Sequence, residues 1–247
     1  MSIYVTGDTH RNEDILNVNQ WYQKHRKDID KNTILIQLGD WGAIWYEEGS
    51  IQYEKDKVLQ TKWAKKDFTL LVVPGNHENY NLINKLPVVN KFGGKVRELK
   101  PYNPYSSNKK YKSIYLLERG EIYEIQDKTF LALGGAESID KSMRVENISW
   151  WRDELWSKQE EDNCLNNLNK HNWSVDYVVS HTCPTSIVKK IVKNYNNNYA
   201  DPTSKFFQFL LDNGLKFKEW HFGHWHTDIQ IDDRFYCHFN AIPKKII

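Results

Sequence analysis

Two histidines one residue apart, in Gly223-His224-Trp225-His226, form the most chemically distinctive stretch of this sequence. On an extended segment their rings point to the same side, because strand side chains repeat every second residue. Imidazole nitrogens are common metal ligands, and the preceding glycine leaves room for the backbone to turn beside the rings. One His-x-His stretch is weak evidence by itself, since histidines also serve as hydrogen-bonded core or surface residues.

Four other segments, far apart in the sequence, also end an apolar run with Asp, Asn or His: Gly7-Asp8-Thr9-His10, Gly39-Asp40, Gly75-Asn76-His77-Glu78 and Ser180-His181. Each has an ordinary alternative role when it is considered alone. An aspartate or asparagine can cap a helix or form a turn, and a lone histidine is commonly a surface or buried residue. We nevertheless expect the five segments to converge on one point, because the ordinary explanation requires five coincidences.

The converging segments supply seven candidate metal ligands: Asp8, His10, Asp40, Asn76, His181, His224 and His226. Carboxylate and amide oxygens mixed with imidazoles suit Mn, Fe, Zn, Co or Ni better than Ca or a thiolate site. Seven ligands exceed what one ion needs, but they suit two ions that share a bridging carboxylate. Two ions about 3.5–4 Å apart can hold a hydroxide between them and clamp a phosphate, so the predicted chemistry is hydrolysis at phosphorus.

The elements that must position these ligands alternate between strands and helices in the first third of the chain. Apolar runs at 3–6, 33–38 and 69–73 predict strands, and each stops just before a candidate ligand. The spacing of apolar residues predicts helices at 13–27 and 50–66, the second with Ile51, Leu59 and Trp63 on one face. This βαβ pattern implies parallel strands, whose carboxyl ends form the usual ligand-binding edge of a sheet.

The rest of the chain alternates less regularly. Residues 93–113 contain no convincing element and are predicted to form a surface loop, with substrate contact as the alternative. The remaining predictions are three short antiparallel strands at 113–117, 121–125 and 129–133, a polar helix at 157–170, a strand at 175–180, an asparagine-rich turn at 194–198, a helix with a phenylalanine face at 204–212, a strand at 220–222 and a hairpin strand at 235–239. No long linker divides the chain, so we predict a single domain over residues 1–247.

Composition and charge limit the partners and the compartment. With 34 basic and 32 acidic residues, the net charge of +2 gives no indication of a nucleic-acid partner or an anionic membrane. Three cysteines without a CxxC pair argue against a disulfide framework and favour a cytoplasmic protein. No signal-like or long apolar segment occurs, so we expect neither export nor membrane insertion. The sequence does not specify an oligomeric state.

The five segments, taken in order, resemble the motifs of the calcineurin-like metallophosphoesterase family over nearly the whole chain. Residues 134–140 and 149–154 resemble segments of its small bacterial and phage members. The resemblance implies an α/β (α+β) fold with a four-layer β-sandwich core flanked by helices. It also implies how the ligands divide: Asp8, His10 and His226 for one ion, Asn76, His181 and His224 for the other, and Asp40 as the bridge. His77 would be the catalytic residue that contacts phosphate and protonates the leaving oxygen.

The sequence departs from the phosphoprotein phosphatases of that family at two places. Those enzymes carry Gly-Asp-x-x-Asp-Arg, in which the second Asp orients the catalytic histidine and the Arg binds phosphate. Ala43 and Ile44 stand at these positions here, and Arg11 replaces the glycine that commonly follows the first histidine. A protein-phosphatase assignment is therefore not supported. Other side chains must do this work, and the candidates are Arg144 and Arg152 for phosphate and Glu47, Glu48 or Glu78 for orienting His77.

The predicted function is a di-metal phosphoesterase that hydrolyses phosphate mono- or diesters by attack of a metal-bridging hydroxide. We expect a small phosphorylated substrate and two divalent ions, with Mn²⁺ the first choice and Fe, Zn, Co or Ni as alternatives. A nuclease or cyclic-nucleotide phosphodiesterase using the same site is one alternative, and a non-catalytic binding scaffold is another. Four tryptophans near the motifs either stack a nucleobase or pack in the core: Trp41, Trp45, Trp150 and Trp151.

Overall fold

Two mixed β-sheets lie at the centre of the protein in a computed structural model, which describes residues 2–11, 15–106, 110–193, 201–240 and 242–247. The first sheet has seven strands, in the spatial order β13 (Lys244–Lys245), β1 (Ile3–Thr6), β2 (Ile34–Leu38), β3 (Thr69–Val73), β6 (Ile114–Leu117), β5 (Gly94–Leu99) and β4 (Val88–Lys91). Strands β1, β2, β3 and β6 are parallel, and the outer strands on both sides are antiparallel to their neighbours.

The second sheet has six strands, in the order β11 (Ile229–Ile231), β12 (Phe235–Cys237), β10 (Glu219–Phe222), β9 (Tyr177–Ser180), β8 (Lys128–Leu133) and β7 (Ile122–Ile125). Its four central strands are parallel, while β11 and β7 close antiparallel hairpins at the two edges. Both sheets therefore have a parallel centre, and in each the carboxyl ends of the central strands lie at one edge.

Helices cover the outer faces of the two sheets. The described helices are α1 (Ile15–His25), α2 (Ile51–Ala64), α3 (Tyr80–Ile83), α4 (Lys158–Lys170), α5 (Thr185–Ile191) and α6 (Pro202–Asp212), with short 3-10 helices at Lys141–Met143 and Arg152–Glu154. Several begin at a side-chain cap, which satisfies backbone N–H groups that the helix leaves free. Ser157 forms a capping box with Glu160 at the start of α4. None of the helices in the described ranges is long and apolar enough to cross a membrane.

Three apolar clusters hold these layers together. One lies between α1, α2 and the outer face of the first sheet, one between the two sheets, and one between α4 to α6 and the second sheet. Fully buried residues such as Val5, Leu71 and Phe130 fill the space between the sheets. Burial of each such side chain contributes about 1.5–3 kcal/mol. This helix–sheet–sheet–helix arrangement confirms the predicted α/β fold with a four-layer β-sandwich flanked by helices.

Helix α2 was correctly predicted, but its buried face was not. Ile51 is 71 % exposed, whereas Asp56 and Gln60 are buried beside Leu59 and Trp63. The two polar residues are buried because they bind the loop after β2: Asp56 accepts hydrogen bonds from the N–H groups of residues 45 and 46, and Gln60 donates to the carbonyl of residue 43. The helix therefore packs on that loop through polar contacts that an apolar pattern does not register.

The predicted loop at residues 93–113 is wrong in its first part. Residues 94–99 form β5, which pairs with β4 across a turn at Phe92 and Gly93, both in the left-handed region. The predicted antiparallel trio is also wrong, because β6 lies in the first sheet, parallel to β3, and only β7 and β8 form a hairpin. Helix α5 was not predicted, and the asparagine-rich turn at 194–198 lies outside the described residues.

Candidate metal centre

The carboxyl ends of three parallel strands of the first sheet and two of the second meet at one edge of the sandwich. Strands β1, β2 and β3 of the first sheet lead to Asp8, Asp40 and Asn76, each within three residues of the strand end. Strands β9 and β10 of the second sheet lead to His181 and His224. The side chains of Asp8, Asp40, Asn76 and His181 are at most 4 % exposed. Both sheets therefore deliver polar side chains to one buried point, as predicted.

The backbone at this point is strained. Asp8, His10, Asp40, His224 and His226 all have positive φ angles, between 33° and 68°. Non-glycine residues adopt this left-handed region rarely, and each costs on the order of 1–3 kcal/mol. Such outliers persist where the surrounding structure fixes them, and they cluster at functional sites.

The His-x-His pair does not lie on an extended segment, so that prediction is wrong. Strand β10 ends at Phe222, and both histidines take the left-handed conformation instead. Their rings consequently face different partners. His224 Nδ1 lies 3.2 Å from His181 Nε2, and His226 Nε2 lies 2.9 Å from His10 Nε2.

The predicted ligands form two clusters that share one carboxylate. In the first, one ligand atom from each member lies within 4.8 Å of all the others: Asp8, His10, Asp40 and His226. The second is defined by the same distance and comprises Asp40, His181 and His224. Asn76 joins the second cluster, because its Oδ1 lies 2.9 Å from His181 Nε2.

Asp40 lies between the two clusters with one oxygen on each side. Its Oδ1 is 3.2 Å from His181 Nε2, and its Oδ2 is 4.0 Å from His10 Nε2. The backbone N–H of His77 also donates to Oδ1 at 2.9 Å. This position suits a carboxylate shared between two cations.

Hydrogen bonds with the backbone fix the orientation of two other candidate ligands, His181 and Asp8. His181 Nδ1 lies 2.9 Å from the carbonyl oxygen of Leu38, which can only accept, so this nitrogen carries the proton and Nε2 faces the cluster. Both oxygens of Asp8 accept from the N–H of His224, at 3.1 and 2.8 Å. The ligands are thus held in place by the chain itself.

The charges of the buried groups are strongly coupled. Burial raises the pKa of Asp8 well above its usual value. Burial acts in the same sense on Asp40, but the charge and hydrogen bond of His181 outweigh it and hold the pKa of Asp40 well below its usual range. Burial opposes the charged form of His181, yet Asp40 raises the pKa of that imidazole to about 10. Burial and the His181 charge lower the pKa of His224 to about 3.

Two glycines leave the space that the centre occupies. Gly39 has a φ of +86°, and a side chain there would overlap the His181 ring. A side chain at Gly75 would overlap the Asp40 carboxylate and come within 2.9 Å of His181 Nε2. Together with a donor set of two carboxylates, one amide and four imidazoles, this close approach fits a pair of divalent cations.

His77 lies on the wall of the centre and is half-buried. Its ring stacks on Trp45, with centroids 5.6 Å apart and an interplanar angle of 20°. Its Nε2 lies 3.1 Å from Nη2 of Arg144, and because guanidinium only donates, the imidazole accepts this hydrogen bond. Burial lowers the pKa of His77, and the nearby Arg144 acts in the same direction.

Trp45 and Arg144 therefore orient His77, and the three predicted glutamates have other partners. Glu78 accepts from the N–H groups of Gly42 and Gly75, at 3.0 and 2.5 Å. Burial raises the pKa of Glu78 to about 7. Glu47 accepts from the side-chain amide of residue 79, and Glu48 accepts from the hydroxyl of residue 53.

The two candidate phosphate-binding arginines differ in position. Arg144 lines a cavity of about 320 Å³ above the clusters, and Asp140 holds its Nε at 2.8 Å. Arg152 lies in a 3-10 helix with an exposed side chain and does not line this cavity. The structure brings the first arginine to the centre and leaves the second outside it.

The four tryptophans near the motifs lie in two different environments. Trp41 and Trp151 are buried in the core beneath the centre, whereas Trp45 and Trp150 are partly exposed. Trp45 lines a second cleft of about 160 Å³, together with Tyr46 and Arg11. His77 lines both this cleft and the larger cavity, so the two meet at its ring.

Sequence reasoning missed Ser138, which contacts the candidate ligand Asn76, and Glu154, which binds Ser138. Both are 1 % exposed, and Ser138 Oγ accepts a hydrogen bond from Asn76 Nδ2. Both lie in the stretches at 134–140 and 149–154 that resemble small family members, and that resemblance was the available signal.

A comparison with known families agrees with this geometry. The sequence model described as calcineurin-like phosphoesterase matches residues 1–228 of the 247, a span that contains all seven candidate ligands and His77. No curated protein matches the chain. The family comprises divalent-metal-dependent phosphoester hydrolases. This chain belongs to the calcineurin-like phosphoesterase family.

Proposed function

We propose that this protein hydrolyses mono- or diesters of phosphate in small molecules, with two divalent cations bound at the metal centre. The observation that carries the proposal is the position of Asp40, whose carboxylate belongs to both ligand clusters. A shared carboxylate suits two ions held close together on one substrate. We propose Mn²⁺ as the metal, and Fe, Zn, Co and Ni are compatible with the same mixture of oxygen and nitrogen ligands.

Bound cations would lower the pKa of a water molecule toward neutrality and offset charge on the phosphoryl oxygens. The chain's own residues prepare this environment. His181 keeps its Nε2 directed at the second cluster because Nδ1 is committed to the carbonyl of Leu38. Asp8 is held rigidly by the N–H of His224. A rigid ligand set needs no rearrangement during the reaction, which favours the transition state.

Arg144 is the proposed phosphate-binding residue. Its guanidinium faces the cavity and is anchored at Nε by Asp140 and at Nη1 by the carbonyl of Ser149, at 3.2 Å. Its Nη2 contacts only the His77 ring among the described residues. Guanidinium groups pair well with phosphate oxygens, so a phosphate can replace the ring as the partner of Nη2.

His77 is the proposed proton donor to the leaving oxygen. His77 Nε2 accepts from Arg144 and carries no proton in this arrangement, so after Arg144 turns to the phosphate the imidazole must take up a proton from solvent before it donates to the departing oxygen. Trp45 keeps the plane of the imidazole ring fixed by stacking. The backbone N–H of His77 donates to the Asp40 carboxylate. Proton donation at this position matters most when the leaving oxygen is a strong base.

Diester hydrolysis is favoured over monoester hydrolysis by one observation. Two clefts meet at His77, one beside Arg144 and one lined by Trp45 and Tyr46. A diester carries a substituent on each side of its phosphorus, and each cleft can receive one of them. The partly exposed aromatic rings suit a flat substituent such as a nucleobase.

The proposal is tested by removing and restoring metal. After exhaustive chelation, hydrolysis of p-nitrophenyl phosphate and of bis-p-nitrophenyl phosphate should vanish. Added Mn²⁺, Co²⁺ or Ni²⁺ should restore it, and the bis ester should have the higher kcat/KM. Elemental analysis should find two ions per chain in the active protein. Full activity in metal-free protein, or no activity with any of these ions, would overturn the proposal.

A further inference from the structure

The side chain of Asn76 presents a problem of orientation. Its two ends have nearly the same shape, but only the oxygen can bind a cation, because the NH₂ end is a donor. Oδ1 faces the second cluster, 2.9 Å from His181 Nε2. The NH₂ end points away and donates to Ser138 Oγ at 3.1 Å.

Ser138 is itself held so that it can only accept from the amide. Its N–H donates to Oε1 of Glu154 and its hydroxyl donates to Oε2, each at 2.7 Å. The single hydroxyl proton is thus used by the carboxylate, and the free lone pairs of Oγ face Asn76. While Glu154 is ionised, the direction of every hydrogen bond in the series Glu154–Ser138–Asn76 is therefore fixed.

Arg119 holds both ends of this series of hydrogen bonds. It is 6 % exposed, and its guanidinium donates to the carbonyl oxygens of Asp153, Glu154 and Leu155 at 2.7, 3.0 and 2.9 Å. The same guanidinium donates to the Tyr80 hydroxyl at 2.6 Å.

Tyr80 completes the connection, because its hydroxyl donates to the carbonyl of Gly75 at 2.8 Å. Gly75 directly precedes Asn76. The backbone beside the amide and the segment that carries Glu154 are therefore fixed to one buried cation.

We propose that Ser138 and Glu154 are positioning residues that lock the amide of Asn76 with its oxygen toward the second cation. The inference rests on the proposed function, because it assumes that Asn76 is a ligand. Without the Ser138 hydroxyl, the buried NH₂ group loses its acceptor, and an unsatisfied buried donor is unfavourable. Rotation of the amide then turns NH₂ toward the second cluster in place of Oδ1, which directs a donor at the site of the cation.

The test is a titration of metal-free protein with Mn²⁺ by calorimetry, comparing wild type, Ser138→Ala and Ser113→Ala. Ser113 is the matched control, because its hydroxyl donates to Glu98 at the same 2.7 Å outside the metal centre. We expect Ser138→Ala to weaken the second ion about 10–100-fold, the usual size for partners of metal ligands, and to leave the first unchanged. Ser113→Ala should bind both ions as the wild type does.

The same substitution in an Asn76→Asp protein distinguishes an effect on the orientation of the amide from general damage to the fold. In Asn76→Asp both ends of the side chain are oxygens, so the orientation no longer matters. Ser138→Ala should then cause no loss of second-ion affinity when it is added to Asn76→Asp. An equal loss in both backgrounds would assign Ser138 a structural role only, and unchanged affinity of Ser138→Ala would overturn the inference. Failure of the wild type to bind two ions would instead overturn the proposed function together with this inference.

Discussion

Two buried polar clusters lie close together in this protein, and they balance their charges in opposite ways. Around Arg119, a single cation is surrounded by acceptors from its own chain, including Glu160 at 3.3 Å. Burial works against its charge, but Tyr80 and Glu160 outweigh it and raise the pKa of Arg119. The metal centre instead gathers two buried carboxylates, and no lysine or arginine of the described residues pairs with Asp8 or Asp40.

The difference separates a structural cluster from a functional one. The Arg119 cluster is complete without any ligand, so its contribution should be to stability. The metal centre relies on the imidazolium of His181 for compensation within the chain, and a divalent cation can take over that role. Buried charges that the chain does not compensate are costly, and proteins keep them where ligands bind.

The largest effect is expected from Arg119→Met, which removes the cation of the complete cluster. Buried carbonyl oxygens and the Tyr80 hydroxyl would lose their donor, and each buried acceptor left unsatisfied costs about 1–3 kcal/mol. Urea unfolding should show this loss in chelator as well as in Mn²⁺. The exposed Arg26 provides the control, since Arg26→Met should stay within about 0.5 kcal/mol of wild type. A loss confined to the metal-loaded protein would contradict the division between the clusters.

Asp40→Asn should show the opposite behaviour, because it removes charge from the incomplete cluster. Two cations without their shared anion repel, by on the order of 4 kcal/mol per pair of unit charges at 4 Å in a partly screened site. Metal content should fall well below two ions per chain, while unfolding of the metal-free protein should change less than with Arg119→Met, because His181 can lose its proton once Asp40 is replaced by a neutral side chain. Elemental analysis and urea unfolding measure the two quantities. Asp233→Asn, at an exposed carboxylate, is the control. Unchanged stoichiometry in Asp40→Asn would show that Asp40 does not bridge.

The smallest effect is expected from His77→Gln, which should leave both metal content and stability unchanged. Hydrolysis of alkyl phosphates should fall by about 10²-fold or more, the usual size of a general-acid effect. Hydrolysis of p-nitrophenyl esters should fall much less, because p-nitrophenolate leaves without a proton. The measurement is kcat/KM for both substrate types, with the exposed Arg152→Ala as control. Equal losses on both substrates would make His77 a phosphate-positioning residue instead.

The strand ends and their ligands could be predicted because each leaves a local signal. The runs before Asp8, Asp40 and His181 are apolar and short, and each stops at a polar residue that a buried strand would not otherwise need. Parallel pairing then brings these ends to one edge of each sheet. The division of the seven ligands into two sets came from the family resemblance, since it depends on how the two sheets lie together.

Features that depend on distant contacts could not be read from the sequence. The buried face of α2 is polar because Asp56 binds the loop after β2, and no periodicity encodes that partner. His224 and His226 lie in the left-handed region, so their side chains do not follow the alternation expected of an extended segment. Arg144 and Arg152 are equally plausible in the sequence, and only the packing of their loop brings Arg144 alone to the cavity.

The separation of the ligands along the chain has a consequence for folding. His10 and His226 lie 216 residues apart, and they follow strands of different sheets. Contacts of such long sequence separation form slowly, because the closure of a long loop must precede them. The first cluster therefore cannot exist until the last parallel strands have docked, and tight metal uptake should be among the final events of refolding. A bound ion would then act as a cross-link that slows unfolding of the finished protein and gives incomplete chains no comparable protection.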